Sequence, residues 1–219
     1  MDYHVAPATS PGGKTPNRAR RGVSTLARRP HRAIGTVALL SAVLGLVVAP
    51  PALADAPAPE EESAAFEVQF LTMMIDHHQM AVHMSEMCLE RAVHDELVEL
   101  CEEIATSQSA EIQLMQGWLA DWYGIDHEPS MDDPAHHEQM EHLATLSGEE
   151  FEQAFLEMMI EHHRMAVVEG LDCLRNAGHR ELRGLCAGIV GTQLREIVQM
   201  QVWLCRWYGR CDFRSPLAA

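Results

Sequence analysis

Lysine is almost absent from this 219-residue chain, because Lys14 is its only example. The sequence also lacks a glycine loop that could cradle phosphate, a nucleophile elbow, and a basic patch interleaved with aromatics. These absences leave nucleotide binding, serine hydrolysis and nucleic-acid recognition without support. What the chain does contain in quantity is acidic residues, histidine and methionine.

The N-terminus has the layout of a secretory signal. Residues 18–32 hold six arginines, residues 34–48 form an uncharged apolar run, and residues 52–54 read "ALA". This order predicts a signal peptide over residues 1–54. The apolar run is shorter than the roughly 20 residues of a membrane span, although an uncleaved anchor is the alternative. We therefore expect a secreted or extracytoplasmic protein with no membrane attachment after cleavage.

The charge of the chain changes once this leader is set aside. The leader holds seven of the 16 Lys and Arg but one of the 32 Asp and Glu, so the remaining 165 residues carry a net charge of −22. Such a surface repels nucleic acid and anionic membranes and attracts cations. We expect metal ions as partners and leave a homo-oligomer open.

A long segment of the chain occurs twice, with a constant offset of 85 residues. "MMIDHHQM" at residues 73–80 matches "MMIEHHRM" at residues 158–165. The same offset relates Phe70 to Phe155, Cys88 to Cys173, Cys101 to Cys186, Gln108 to Gln193, Glu111 to Glu196 and Trp118 to Trp203. A unit of this length that occurs only twice indicates a duplicated structural element within one fold.

Each unit shows the apolar spacing of two helices separated by a short turn, near residues 91–95 and 176–179. The pattern predicts an all-α, ferritin-like four-helix bundle made of two duplicated helical hairpins with a long crossover. The expected division is a linker at 55–65, a first hairpin at 66–124, a crossover linker at 125–148, a second hairpin at 149–209 and a C-terminal tail at 210–219.

The six cysteines are expected to form three disulfides, because an even count in an exported chain favours oxidation. Antiparallel helices bring together residues that are equally far from their turn, which pairs Cys88 with Cys101 and Cys173 with Cys186. Cys205 and Cys211 then form a short-range pair. Thiolate ligation of copper is the alternative.

The same register argument places His77 level with Gln108 to Glu111, and His162 level with Gln193 and Glu196. A buried carboxylate is normally paired or bound to metal. The predicted metal clusters therefore contain Asp76, His77, His78 and Glu111, and in the second unit Glu161, His162, His163 and Glu196, with Gln108 and Gln193 behind them. The alternative is that the His–Glu pairs are structural and that His78 only packs.

Soft ligands accompany the first cluster. Met73, Met80, His83 and Met87 share one side of the first helix beside Asp76, whereas Val168 and Asp172 replace His83 and Met87 in the second unit. Thioether and imidazole together favour copper, while carboxylate with imidazole also suits iron, manganese or zinc. The asymmetry indicates an additional soft-metal site in the first hairpin alone.

"MMIDHHQMAV" with "SQSAEIQLMQGWL", and "MMIEHHRMAV" with "TQLREIVQMQVWL", resemble a secreted bacterial family catalogued as domain of unknown function 305. The resemblance implies a ferritin-like fold, export, and copper binding through His and Met in some relatives. The ligands it implies are His77, His78, His162 and His163, supported by Met74, Met80, Met159 and Met165. The family has no settled activity.

Copper sequestration or handling without catalysis is the function that these patterns favour. A di-metal oxidase or peroxide-consuming enzyme on a ferritin-like scaffold is the alternative, although such enzymes use more carboxylates than this chain offers. A module without metal, in which the His–Glu pairs fix helix register, is the third interpretation.

Overall fold

The computed structural model describes residues 56–131 and 134–211, with the side chains of 134–136 left aside. Five helices and no strand occupy these residues, which confirms the predicted all-α class. The predicted signal peptide lies outside them. The helices are α1 (Glu61–Arg91), α2 (Asp95–Tyr123), α3 (Pro134–Thr145), α4 (Gly148–Asn176) and α5 (Arg180–Tyr208).

The helices are arranged as two hairpins. α1 packs along α2 and α4 packs along α5, with turns of three residues between the members of each pair. α2 and α5 end at the glycines of the two "WYG" sequences, because Gly124 and Gly209 adopt positive φ angles of 64° and 69°. Their backbone N–H groups donate to carbonyls in the last helical turn, which is a common way for a helix to end.

The two hairpins meet through α1 and α4. Two clusters of buried apolar side chains form the interior. Its largest fully buried side chains are Phe70, Leu71, Met74, Ile75, Met84, Leu97, Ile104, Met115, Leu119, Leu143, Phe151 and Phe155. α3 lies within the segment predicted as a crossover and packs on α4. Within the described residues, no helix combines the length and the apolar character that a bilayer crossing needs.

Disulfides link the two helices of each hairpin near its turn. Cys88 bonds Cys101 and Cys173 bonds Cys186, each with a Cα–Cα distance of 6.2 Å. Cys205 bonds Cys211 at the end of α5. All three predicted pairs are confirmed. Hairpin register brings the first two pairs level with each other, and the third joins residues that are close in sequence.

A buried carboxylate on α1 holds the turn of the second hairpin. Glu67 accepts hydrogen bonds from the backbone N–H groups of Gly178 and His179 at 2.7 and 2.8 Å. Its other oxygen accepts from His179 Nδ1 at 2.6 Å and from the Tyr123 hydroxyl at 2.5 Å. The His179 ring also stacks on Trp122, with the ring centroids 3.8 Å apart. The start of α1 therefore lies against the end of α4, so the two helices are antiparallel.

The reverse contact holds the turn of the first hairpin. Glu152 on α4 accepts from the backbone N–H groups of Val93 and His94, from His94 Nδ1 and from the Tyr208 hydroxyl. The His94 ring stacks on Trp207 at a centroid distance of 4.0 Å. Each of these residues lies 85 positions from its counterpart around Glu67. We call the two arrangements the glutamate clamps.

The clamps change the acidity of their members in opposite directions. Burial alone would raise the pKa of Glu67 and Glu152, but hydrogen bonds from tyrosine and histidine outweigh burial and lower the pKa of both carboxyls. Burial and the adjacent carboxylate raise the pKa of Tyr123 and Tyr208. Both glutamates are therefore charged and both phenols neutral at physiological pH, which is the state that the hydrogen bonds require.

Loss of a clamp charge should destabilise the whole domain. Glu67→Gln turns an acceptor into an amide with N–H groups facing other donors, so we expect a loss of about 3 kcal/mol in the free energy of unfolding. Chemical denaturation at neutral pH measures this quantity. Glu90, an exposed glutamate of the same helix, gives the control. Glu90→Gln should change the free energy of unfolding by less than about 0.5 kcal/mol. Equal effects of the two substitutions would contradict the clamp.

The clamps also predict how stability depends on acid. Because the folded-state pKa of Glu67 and Glu152 lies below the ordinary value of 4.5, their stabilisation is complete above that value and is lost as the pH falls below it. Denaturation curves of the protein and of Glu67→Gln should therefore differ most above pH 4.5 and converge below it. A constant difference across that range would contradict the lowered pKa.

Candidate metal centre

The duplicated histidine motifs meet where α1 and α4 pack together. The rings of His77 and His162 stack with their centroids 3.6 Å apart and an interplanar angle of 29°. His162 Nε2 lies 3.0 Å from the His77 backbone carbonyl and donates to it. The first histidine of each motif thus lies at the interface between the hairpins.

The second histidine of each motif faces a glutamate within its own hairpin. His78 Nε2 donates to Glu111 Oε2 at 2.7 Å, and His163 Nε2 donates to Glu196 Oε2 at the same distance. Register from the turn predicts His77 and His162 at this level, so that expectation is wrong by one residue. One residue rotates a side chain by about 100° around a helix, which directs the first histidine to the other hairpin.

Each His–Glu pair leaves a ring nitrogen buried. An ionised carboxylate only accepts, so Nε2 carries a proton, and in the neutral ring Nδ1 then keeps its lone pair. Nδ1 of His78 and of His163 is buried with no hydrogen-bond partner, and so is Nδ1 of His162. Metal-ligating histidines commonly donate their other ring N–H to a carboxylate or a backbone carbonyl. These three rings have that arrangement.

The surroundings of His162 keep its ring neutral. Burial is the largest cause that lowers the pKa of His162, and repulsion from His77, His163 and His78 lowers it further. The hydrogen bond with the His77 backbone acts in the other direction and does not compensate. A neutral imidazole is the form that binds metal.

These donors are close to one another but do not converge on one point. Among residues 56–131 and 134–211, no three side chains of His, Cys, Asp or Glu are gathered as a ready metal site. The lone pairs at Nδ1 and the nearby thioethers nevertheless suit a soft ion such as Cu(I). Gln108 and Gln193 lie one turn before the paired glutamates and are buried, each with a side-chain oxygen that lacks a partner.

The predicted methionine ligands differ in accessibility. Met74 and Met159 are fully buried in the core, and Met80 is 5% exposed, whereas Met165 is 47% exposed. His83 is half-exposed, with Nδ1 3.8 Å from Glu86. Their role as ligands stays a prediction.

Asp76 and Glu161, the carboxylates at matching positions before the histidines, have different partners. Asp76 accepts from His127 Nε2 and from the Ser130 backbone N–H, both at 2.8 Å. Glu161 forms an ion pair with Arg164 on its own helix. The two hairpins are therefore unlike at this position.

An acidic groove lies beside the second His–Glu pair. It has a volume of about 610 Å³ and is lined by α2 and α5. Its lining residues are Glu99, Glu102, Glu103, Thr106, Ser107, Thr192 and Glu196. Glu196 thus contacts both the groove and His163, so the cation-attracting surface reaches one member of the buried pair.

The sequence did not predict the partners of several residues. Glu67, Glu152, His94 and His179 form the clamps, and His127 is the partner of Asp76. The clamp residues could have been found from the internal repeat, because Glu67 and Glu152, and likewise His94 and His179, are related by the offset of 85 residues. His127 has no such signal, since Asp212 stands at the equivalent position.

The fold and the site define an all-α protein of two hairpins, each closed by its own disulfide, with a stacked histidine pair between the hairpins and one histidine–carboxylate pair within each. The family model described as a domain of unknown function, DUF305, matches residues 67–204, and the chain belongs to this family. The resemblance seen in the repeated motifs is thereby confirmed.

Solved structures agree with this assignment. CopM in its Cu(I)-bound form is 34% identical, with a TM-score of 0.59 over 65% of this chain and 98% of CopM. CopM has also been solved in Cu(II)-bound and Ag-bound forms. A DUF305 protein from Streptomyces coelicolor, described as a predicted secreted protein, is 30% identical, with a TM-score of 0.57 over 64% of this chain and 91% of its own.

A third structure extends the match to another organism. A DUF305 fragment from Deinococcus radiodurans is 32% identical, with a TM-score of 0.58 over 68% of this chain and 99% of the fragment. Among curated proteins, no significant match is found.

The pairing with glutamate predicts one tautomer for two of the histidines. We expect His78 and His163 to carry the proton on Nε2, with Nδ1 unprotonated, because Nε2 donates to a carboxylate. Long-range ¹H–¹⁵N correlation spectra of the metal-free protein report the protonated nitrogen directly. Glu111→Ala should change the His78 signals and leave those of His163 unaffected. A proton found on Nδ1 of either ring would contradict the geometry.

Proposed function

We propose that this protein is exported and binds copper in order to sequester it or pass it on, without catalysis. The main support is the match to CopM, since this chain covers 98% of a protein crystallised with Cu(I) at 34% identity. The neutral imidazoles and thioethers at the α1–α4 contact provide donors that suit this ion.

The proposed ligands come from the histidine motifs. His78 and His163 would bind through Nδ1 while Glu111 and Glu196 hold Nε2, and His162 has an equivalent lone pair. Met165 lies two residues after the second histidine of its motif, with Met74 and Met159 in the adjoining core. Because the lone pairs do not yet converge, we propose that side-chain rotation gathers them around the ion.

Charge and location fit the same function. The chain after residue 54 carries a net charge of −22, which concentrates cations near its surface. The leader and the three disulfides suit an oxidising compartment outside the cytoplasm. In such a compartment, binding would limit the amount of free copper.

An enzymatic di-metal centre has less support. Such centres in helical bundles use four glutamates together with histidines. Here the buried Glu67 and Glu152 form the clamps, and the partly exposed Glu111 and Glu196 hold histidines. The carboxylates available to bridge two metals are therefore too few. A purely structural role for the His–Glu pairs is the outcome to be tested against copper binding.

Copper titration with matched variants tests the proposal. We expect the purified protein to bind Cu(I) more tightly than the double variant His78→Ala, His163→Ala, by about tenfold or more. The double variant His137→Ala, His142→Ala removes two exposed histidines and should bind as the unaltered protein does. Circular dichroism of each metal-free variant shows whether it is folded. Equal affinity of the protein and of the first variant would refute the proposal.

A further inference from the structure

The segment after α2 folds back onto the first histidine motif and fixes one additional histidine there. His127 donates from Nε2 to Asp76 at 2.8 Å, and its backbone carbonyl accepts from Gln116 Nε2 at 2.9 Å. The Ser130 backbone N–H donates to the same Asp76 oxygen. His127 lies in no helix, yet side chains of α1 and α2 hold both its ring and its backbone.

The arrangement of this ring is that of a histidine prepared for metal. A carboxylate holds Nε2–H, so the lone pair lies on Nδ1. Ring geometry directs Nδ1 away from Asp76. The side chain is 21% exposed, so an ion arriving from solvent can reach it.

Two thioethers flank the carboxylate that positions this ring. Met73 and Met80 lie three residues before and four residues after Asp76, which places them on the same face of α1, one turn to either side. Met73 is partly buried and Met80 is 5% exposed, so both border the core rather than extend into solvent. Methionine has three rotatable bonds, so its sulfur can adjust to an ion at the surface of the helix.

We propose that His127, Met73 and Met80 form a site for a soft monovalent ion, Cu(I) or its analogue Ag(I), in the first hairpin. Asp76 is the positioning residue of this site and not a ligand. The inference deepens the proposed copper binding and depends on it, because it names a second, more exposed location on the same protein. One imidazole and two thioethers are the donor types that Cu(I) prefers.

The second hairpin supplies an internal comparison. It retains both thioethers, as Met158 and Met165, but position 212 is aspartate where the first hairpin has His127. Glu161, the equivalent of Asp76, forms an ion pair with Arg164. The proposed site is therefore complete in the first hairpin alone.

The test is titration of the purified protein with Ag(I), which needs no reductant and so leaves the disulfides intact. His127→Gln keeps a side-chain N–H that can reach Asp76 but removes the imidazole lone pair. We expect it to lose about one equivalent of bound Ag(I). Asp76→Asn should retain the equivalent with an affinity lower by roughly tenfold, as expected for loss of the charge that orients a ligand. The control Glu90→Gln removes an exposed carboxylate from the same helix as Asp76 and should leave binding unchanged.

A spectroscopic measurement separates ligation from a structural role. We expect Ag(I) to shift the ¹⁵N resonance of His127 Nδ1, and thermal unfolding of metal-free His127→Gln to show that the variant is folded. The site is refuted, while the proposed function stands, if Ag(I) and Cu(I) bind but two results are negative. These are that His127→Gln binds as many ions as the unaltered protein and that Ag(I) does not shift the His127 Nδ1 resonance. If the unaltered protein binds neither ion, the proposed function itself is refuted.

Discussion

The arrangement of the two hairpins depends on two buried carboxylates, each of which holds a turn that belongs to the other hairpin. Glu67 accepts hydrogen bonds from two backbone N–H groups and a histidine just after α4, and from the tyrosine that ends α2. Glu152 makes the equivalent contacts just after α1 and at the end of α5. A carboxylate without these donors would be costly to bury. The contacts therefore fix both the direction and the register of α1 against α4, and this register stacks His77 on His162.

The proposed metal chemistry of the protein follows from that register. With the first histidine of each motif engaged at the hairpin interface, the second faces a glutamate inside its own hairpin. Both carboxylates hold the Nε2 proton and leave Nδ1 as the basic atom. The candidate site thus offers imidazole nitrogens, with methionines on the same helices, in a protein whose surface is strongly negative. This combination suits the retention of a soft cation better than redox turnover at a carboxylate-rich centre.

Sequence reasoning predicted the local architecture well and the contacts between hairpins poorly. The helices, the turns and the pairing of Cys88 with Cys101 follow from apolar period and from distance to a turn, which are properties of one hairpin. The same measure placed the histidine opposite Glu111 wrongly by one residue, because a helix stripe is wider than a single position. The clamps join residues more than 50 positions apart, and His127 lies in a segment without period, so neither could be derived from spacing.

The reciprocity of the clamps bears on the origin of the chain. A single hairpin with a glutamate at its start and a His-containing turn at its middle carries both halves of the contact, so two identical copies could satisfy each other about a twofold axis. Fusion of two such copies would retain that symmetric interface within one polypeptide. After fusion the sequences of the two halves can change independently. His127 and its sequence counterpart Asp212 are one position where they have diverged.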